Sequence, residues 1–150
     1  MININQRKIL NFKNNKRGLY SLYIFLLLLF FTLPAEFIAN DKPLLVKYNT
    51  GYYFPVFNNY AETVFGGDFE TSADYRDTFV IELIESDGWI IWPLIPFNHQ
   101  TVNYNLQVPA PSPPSLENIL GTDDQARDVL ARLIYGFRIS ILFGILLTFF

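Results

Sequence analysis

Cysteine is absent from the 150 residues. That excludes a disulfide framework and any zinc site built on thiolates. Histidine occurs once, at position 99. A Ser-His-Asp triad or a histidine metal site would have to be built around it, and no carboxylate or serine lies near it in a recognised pattern. His99 therefore reads as a surface histidine or one satisfied in the core. No G-x-x-x-x-G-K-[ST] run is present, so the chain lacks that device for cradling ATP, and Gly66-Gly67 reads as a turn. The paired acids Asp123-Asp124 invite a general acid/base reading, but acids favoured at a helix N-terminus explain them without chemistry. Nothing in these residues argues for an enzyme.

Basic residues are scarce beyond the start of the chain. Arg7, Lys8, Lys13, Lys16 and Arg17 stand in the first eighteen residues, where there is no acid. Residues 41–128 carry thirteen acids against Lys42, Lys47, Arg76 and Arg127. The net charge of −3 hides this sorting. The basic block is short and abuts an apolar run, which fits a cytoplasmic membrane anchor rather than nucleic-acid binding.

Apolar residues are plentiful: 51% of the chain is hydrophobic and 17% aromatic, and the apolar residues are clustered rather than spread. Residues 19–38 (LYSLYIFLLLLFFTLPAEFI) number enough to cross a hydrocarbon core of about 30 Å at about 1.5 Å per residue. Pro34 and Glu36 fall near its outer end, where a lost backbone bond or a charge reaches the interface. A cleaved secretory signal is the rival reading. Its cleavage site would be poor, with Leu33 or Phe37 at the −3 position, so an uncleaved anchor is preferred. The charge asymmetry then puts the N-terminus in the cytoplasm.

Residues 39–121 read as an extracytoplasmic α+β segment. Residues 44–48 and 52–57 form a candidate hairpin about Asn49-Thr50-Gly51. Asp74 is a candidate cap for a short helix over 75–85, with Phe79, Val80, Leu83 and Ile84 at helical spacing and Gly88 ending it. Residues 89–97 (WIIWPLIPF) are too short and too interrupted by Pro93 and Pro96 to span, and are expected to pack inward or lie at the interface. Residues 109–115 (PAPSPPS) read as an extended polyproline linker.

Thr122 followed by Gln125 has the spacing of a capping box. The spacing predicts a helix starting near Asp123 and amphipathic over 122–132, then a second membrane segment over 133–150. Arg138 must snorkel or find a partner there. The apolar run reaches residue 150 with no polar flank, so the sequence reads as stopping within a span, as a fragment or an interrupted product.

The stretch LGTDDQARDVLARLIYGFRISILFG at 120–144 resembles LGTDxxGRDVxSRxxYGxRxSLxxG, a signature of inner-membrane permeases in peptide-type ABC importers. Leu120, Gly121, Thr122, Asp123, Arg127, Asp128, Arg132, Tyr135, Gly136, Arg138 and Ser140 carry the match. Ala126 departs from it where the family has Gly. Further upstream, ANDKPLLVKY, YYFP, FGGDF, ADYRD, GWIIWPLIPF and PSPPS are similar to the permease subunit of microcin C and oligopeptide uptake systems. The resemblance implies an α-helical membrane protein with about six spans. Its expected partners are a second permease subunit, cytoplasmic ATPase subunits and an extracytoplasmic peptide-binding protein, together with membrane lipid. ATP would be used by the partner subunits and not by this chain. A coupling loop that docks on the ATPase would lie beyond residue 150. The signature residues Gly121 to Arg138 are expected to serve structure or coupling, with a capped helix start as the plainer role. The alternative function is a membrane-anchored remnant or interaction module that transports nothing.

Overall fold

The computed structural model describes residues 4–150, so residues 1–3 of the basic terminus lie outside it. Helix α1 (Ile4–Asn14) is followed by α2 (Lys16–Thr32). Asn15 separates them: its side-chain oxygen accepts from Gly18 N at 3.2 Å and caps α2. The single helix expected over 19–38 is thus shifted and broken. It starts earlier, at Lys16, and stops at Thr32. Pro34 is the cause, because it has no N–H and its ring displaces the carbonyl four residues back. A one-turn helix, α3 (Ala35–Ile38), resumes beyond it. The apolar side chains of α2, among them Ile24, Leu27, Phe30 and Phe31, stay exposed.

Residues 39–121 hold a three-stranded antiparallel sheet in the order β2-β1-β3. Strands β1 (Leu45–Tyr48) and β2 (Gly51–Tyr53) form the expected hairpin, with Tyr48 opposite Gly51 and the left-handed residue Asn49 in the turn. The third strand, β3 (Gly88–Ile91), was not anticipated. It pairs with β1, Tyr48 opposite Gly88 and Leu45 opposite Ile91. A Cβ on Gly88 would stand 1.8 Å from the Lys47 carbonyl oxygen, so only glycine admits this approach. Pro93 then lies beyond the strand rather than inside it.

Helix α4 (Thr78–Ser86) starts later than expected. Asp77, not Asp74, caps it, accepting from Phe79 N at 2.9 Å. Asp74 accepts from Arg76 N at 2.9 Å and shapes the preceding turn. Of the expected stripe, Val80 and Ile84 are buried while Phe79 is exposed. They join Val46, Ala73 and Tyr75 around Phe65, which ends a short 3₁₀ helix (Glu62–Phe65). Phe65 meets Tyr48, Tyr53, Tyr60 and Tyr75 edge to face, at centroid distances from 5.3 to 6.4 Å.

The chain closes with α5 (Val129–Phe149), one continuous helix of 21 residues that is long and apolar enough to cross a membrane. It packs against α2 and α3. A second core forms at this junction from Ala35, Ala39, Ile95, Phe97, Ala131 and Tyr135. Ala35 of α3 and Ala39, the extended residue that ends it, share this core with Ala131 of α5. Small side chains here let the helices approach closely.

Candidate functional site

The residues singled out in the sequence lie in a loop, 121–128, and in the first three turns of α5. The loop is built on two aspartates with different tasks. Asp128 caps α5: its Oδ1 accepts from Ala131 N at 2.7 Å. Its other oxygen accepts from Asn118 Nδ2 at 2.9 Å, and Asn118 Oδ1 accepts from Asn103 Nδ2 at 3.1 Å. All three side chains are buried, so this is a connected polar network inside the fold.

Asp123 closes the loop on itself. Oδ1 accepts from the backbone N–H groups of Gln125 and Arg127, both at 2.9 Å. Oδ2 takes the Arg127 guanidinium, at 2.9 Å from Nε and 2.8 Å from Nη2, and also pairs with Arg132. Partial burial raises the Asp123 pKa, but these donors outweigh it and hold the carboxyl down at about 2. Asp123 is therefore a fixed anion neutralised by two arginines, which makes it a poor proton acceptor near neutral pH.

The helix expected from Asp123 does not begin there, because the capping box is not formed. The Thr122 hydroxyl accepts from Ser112 N at 2.9 Å and lies 3.0 Å from Ser112 Oγ. Thr122 N donates to Ser112 O at 3.1 Å. These bonds pin the proline-rich stretch, which was expected to run as an open linker. Gly121, at φ +75°, allows the crossing: a Cβ there would stand 2.4 Å from Ser112 O. Ala126 is also left-handed, at φ 58°, which accounts for a glycine preference at this position. Its carbonyl accepts from Asn103 N at 2.8 Å.

Further along α5, Tyr135 and Arg138 face α3 and the residue that ends it. Tyr135 OH donates to Ala39 O at 2.8 Å, and its ring lies 4.6 Å from that of His99. Arg138 Nη1 bonds the two carboxylate oxygens of Glu36 at 2.8 and 2.7 Å, and its guanidinium sits 5.0 Å from the Tyr135 ring centre. The partner that Arg138 needed is thus Glu36. Gly136 stands apart on an open face, where an added Cβ would meet nothing within 4 Å.

Sequence reasoning missed Asn103, Ser112, Asn118 and Glu36 as members of this arrangement. The asparagines and the serine give no local signal. Glu36 and Arg138 did give one, as lone opposite charges in two apolar runs. The arrangement ties residues 103–118 to the head of α5, and α5 to α3 and the residue that ends it.

Comparison with known proteins adds relatives. The chain is 48% identical over 145 residues to the inner membrane ABC transporter permease protein YejE of Escherichia coli strain K12, matching 97% of this chain and 42% of the relative. It is 45% identical over 167 residues to the peptidoglycan transport system permease protein YejE of Agrobacterium fabrum, matching 95% of this chain and 44% of that relative. A shorter match, 58% over 34 residues, covers 23% of this chain and 11% of the dipeptide transport system permease protein DppC of Escherichia coli strain K12. The chain thus spans less than half the length of the curated relatives it matches. No family model and no solved structure matches.

Proposed function

From its kinship with the inner-membrane ABC transporter permeases, we propose that this chain supplies the first part of a permease that imports peptides or peptide-like compounds. The observation that carries the reading is the near-complete alignment of the chain with two such permeases at 45–48% identity. Oligopeptides and the peptide antibiotic microcin C are the cargo class we favour. The name of the Agrobacterium relative makes peptide-bearing cell-wall material the second.

In this reading α2 and α5 are two helices of a larger bundle, and residues 39–121 are its extracytoplasmic surface. A peptide-binding protein would deliver cargo to that surface. A second permease subunit would complete the pathway, and cytoplasmic ATPase subunits would bind and hydrolyse ATP. The clasp at 121–128 gives a mechanical role to the signature. Movement of α5 between outward- and inward-open states would carry the outer segment with it as one piece, because Asp128 and Thr122 fix that segment to the helix head. No reacting atom is required of this chain.

The test is a chimera. The aligned part of the Escherichia coli permease is replaced by these 150 residues in cells lacking the native permease, and uptake of a labelled tripeptide is measured. Uptake restored to near the native level supports the reading. Loss of uptake with the chimera present in the membrane at native abundance contradicts it.

A further inference from the structure

An aromatic patch forms where α3 meets the loop that follows the hairpin. Phe37 of α3 and Phe57, twenty residues later, meet edge to face at 5.6 Å, yet are 46% and 67% exposed. On α3, Ala35 turns inward to the core shared with α5, and Phe37, two residues on, lies on the other side of the turn. Two rings held together but left open to solvent leave apolar surface without a protein partner.

Their depth identifies what covers them. Lys16 and Arg17 mark the polar start of α2, and its 17 residues rise about 26 Å. A hydrocarbon core of about 30 Å therefore reaches the level of α3. Glu36 of α3 pairs with Arg138, and such a pair is expected at the polar boundary rather than deep in lipid. Phe37 is the next residue after Glu36. Phe57 stands beside Phe37 by their ring contact, on a turn in which Phe57 N donates to Phe54 O at 3.0 Å. Just past it, Asn59 accepts from Lys42 Nζ and sets a cation beside the turn.

We propose that Phe37 and Phe57 form a lipid-docking patch that dips into the headgroup and upper acyl region of the outer leaflet, with Lys42 toward the phosphates. The outer segment is then held at the membrane surface by its own side chains as well as by the two helices. Phenylalanine on one side of a surface element and a lysine beside it is the chemistry of interfacial binding. This inference rests on the membrane-permease reading above.

The absence of cysteine makes the test direct. Phe57→Cys, Phe37→Cys, Leu27→Cys and Leu116→Cys are each labelled with a nitroxide in the full chain. The proteins are reconstituted in vesicles of phosphatidylethanolamine and phosphatidylglycerol. Collision rates with oxygen, which partitions into lipid, are compared with those of a water-soluble nickel chelate. The exposed Leu27 on α2 reports lipid and the fully exposed Leu116 reports water. Labels at 57 and 37 should favour oxygen several-fold over the label at 116, at a depth shallower than 27. A label at 57 that matches 116 overturns the proposal, and one shielded from both reagents overturns it in favour of a protein neighbour. If the label at 27 also matches 116, the chain has not inserted, and the membrane reading itself fails. Unchanged circular dichroism of each labelled protein confirms that it has folded.

Discussion

Two regions of the molecule hold together by opposite means. Around Phe65 the fold relies on apolar burial, with four tyrosine rings, Val46, Val80 and Ile84 closing on one phenylalanine. Around Asp128 it relies on hydrogen bonds, with two buried asparagines, a threonine and a serine joining loop to loop. The apolar core is non-directional and tolerates small shifts. The polar clasp is directional: each group has a named partner, and losing one strands another.

The largest break should come from the apolar side. Phe65→Ala removes a fully buried ring and should cost about 3–5 kcal/mol. Urea unfolding followed by tryptophan fluorescence should show it, because Trp92 packs on this core. The clasp comes next. Asp128→Ala removes the cap of α5 and leaves the buried Asn118 amide without its acceptor, for about 2–4 kcal/mol in total. Limited proteolysis should then open residues 103–128 while the sheet stays resistant, which separates the two joints.

Acid sharpens the same contrast. The Asp123 carboxyl is held at about 2 in the fold, below the unfolded aspartate value of about 3.9. A depressed pKa stabilises the fold above the unfolded value, and that stability is lost as pH falls through the folded one. Protease resistance at 121–128 should therefore fall between about pH 4 and pH 2, and Asp123→Asn should flatten that dependence. The smallest change should be a gain. Ala126→Gly relieves a left-handed alanine and should raise stability by up to about 1 kcal/mol, read as a higher urea midpoint.

What was legible in the sequence follows the same division. The hairpin could be read because its turn is local: Asn49 takes positive φ readily and Gly51 follows. The apolar helices could be read from length and composition. Strand β3 could not, because its reason to be extended is the distant edge of β1, and Pro93 and Pro96 made the whole run look irregular. The clasp was the hardest part. Thr122 and Gln125 have the spacing of a helix cap, and only the approach of Ser112, brought in across the proline-rich stretch, diverts the threonine hydroxyl. The signature residues were legible as a motif, but their partners Asn103 and Asn118 carry no pattern of their own. Arg138 announced that it needed a partner, and Glu36 supplied it from more than a hundred residues away.

Residues 103–128 are folded onto the head of α5 and do not form an open linker. Hydrogen exchange on the full chain in lipid nanodiscs tests it. Amides of Asn103, Thr122 and Val129, which donate to Ala126, Ser112 and Gly121, should exchange as slowly as those pairing β1 with β3. Exchange at these three positions as fast as in an unstructured peptide, with the sheet still protected, would contradict the account.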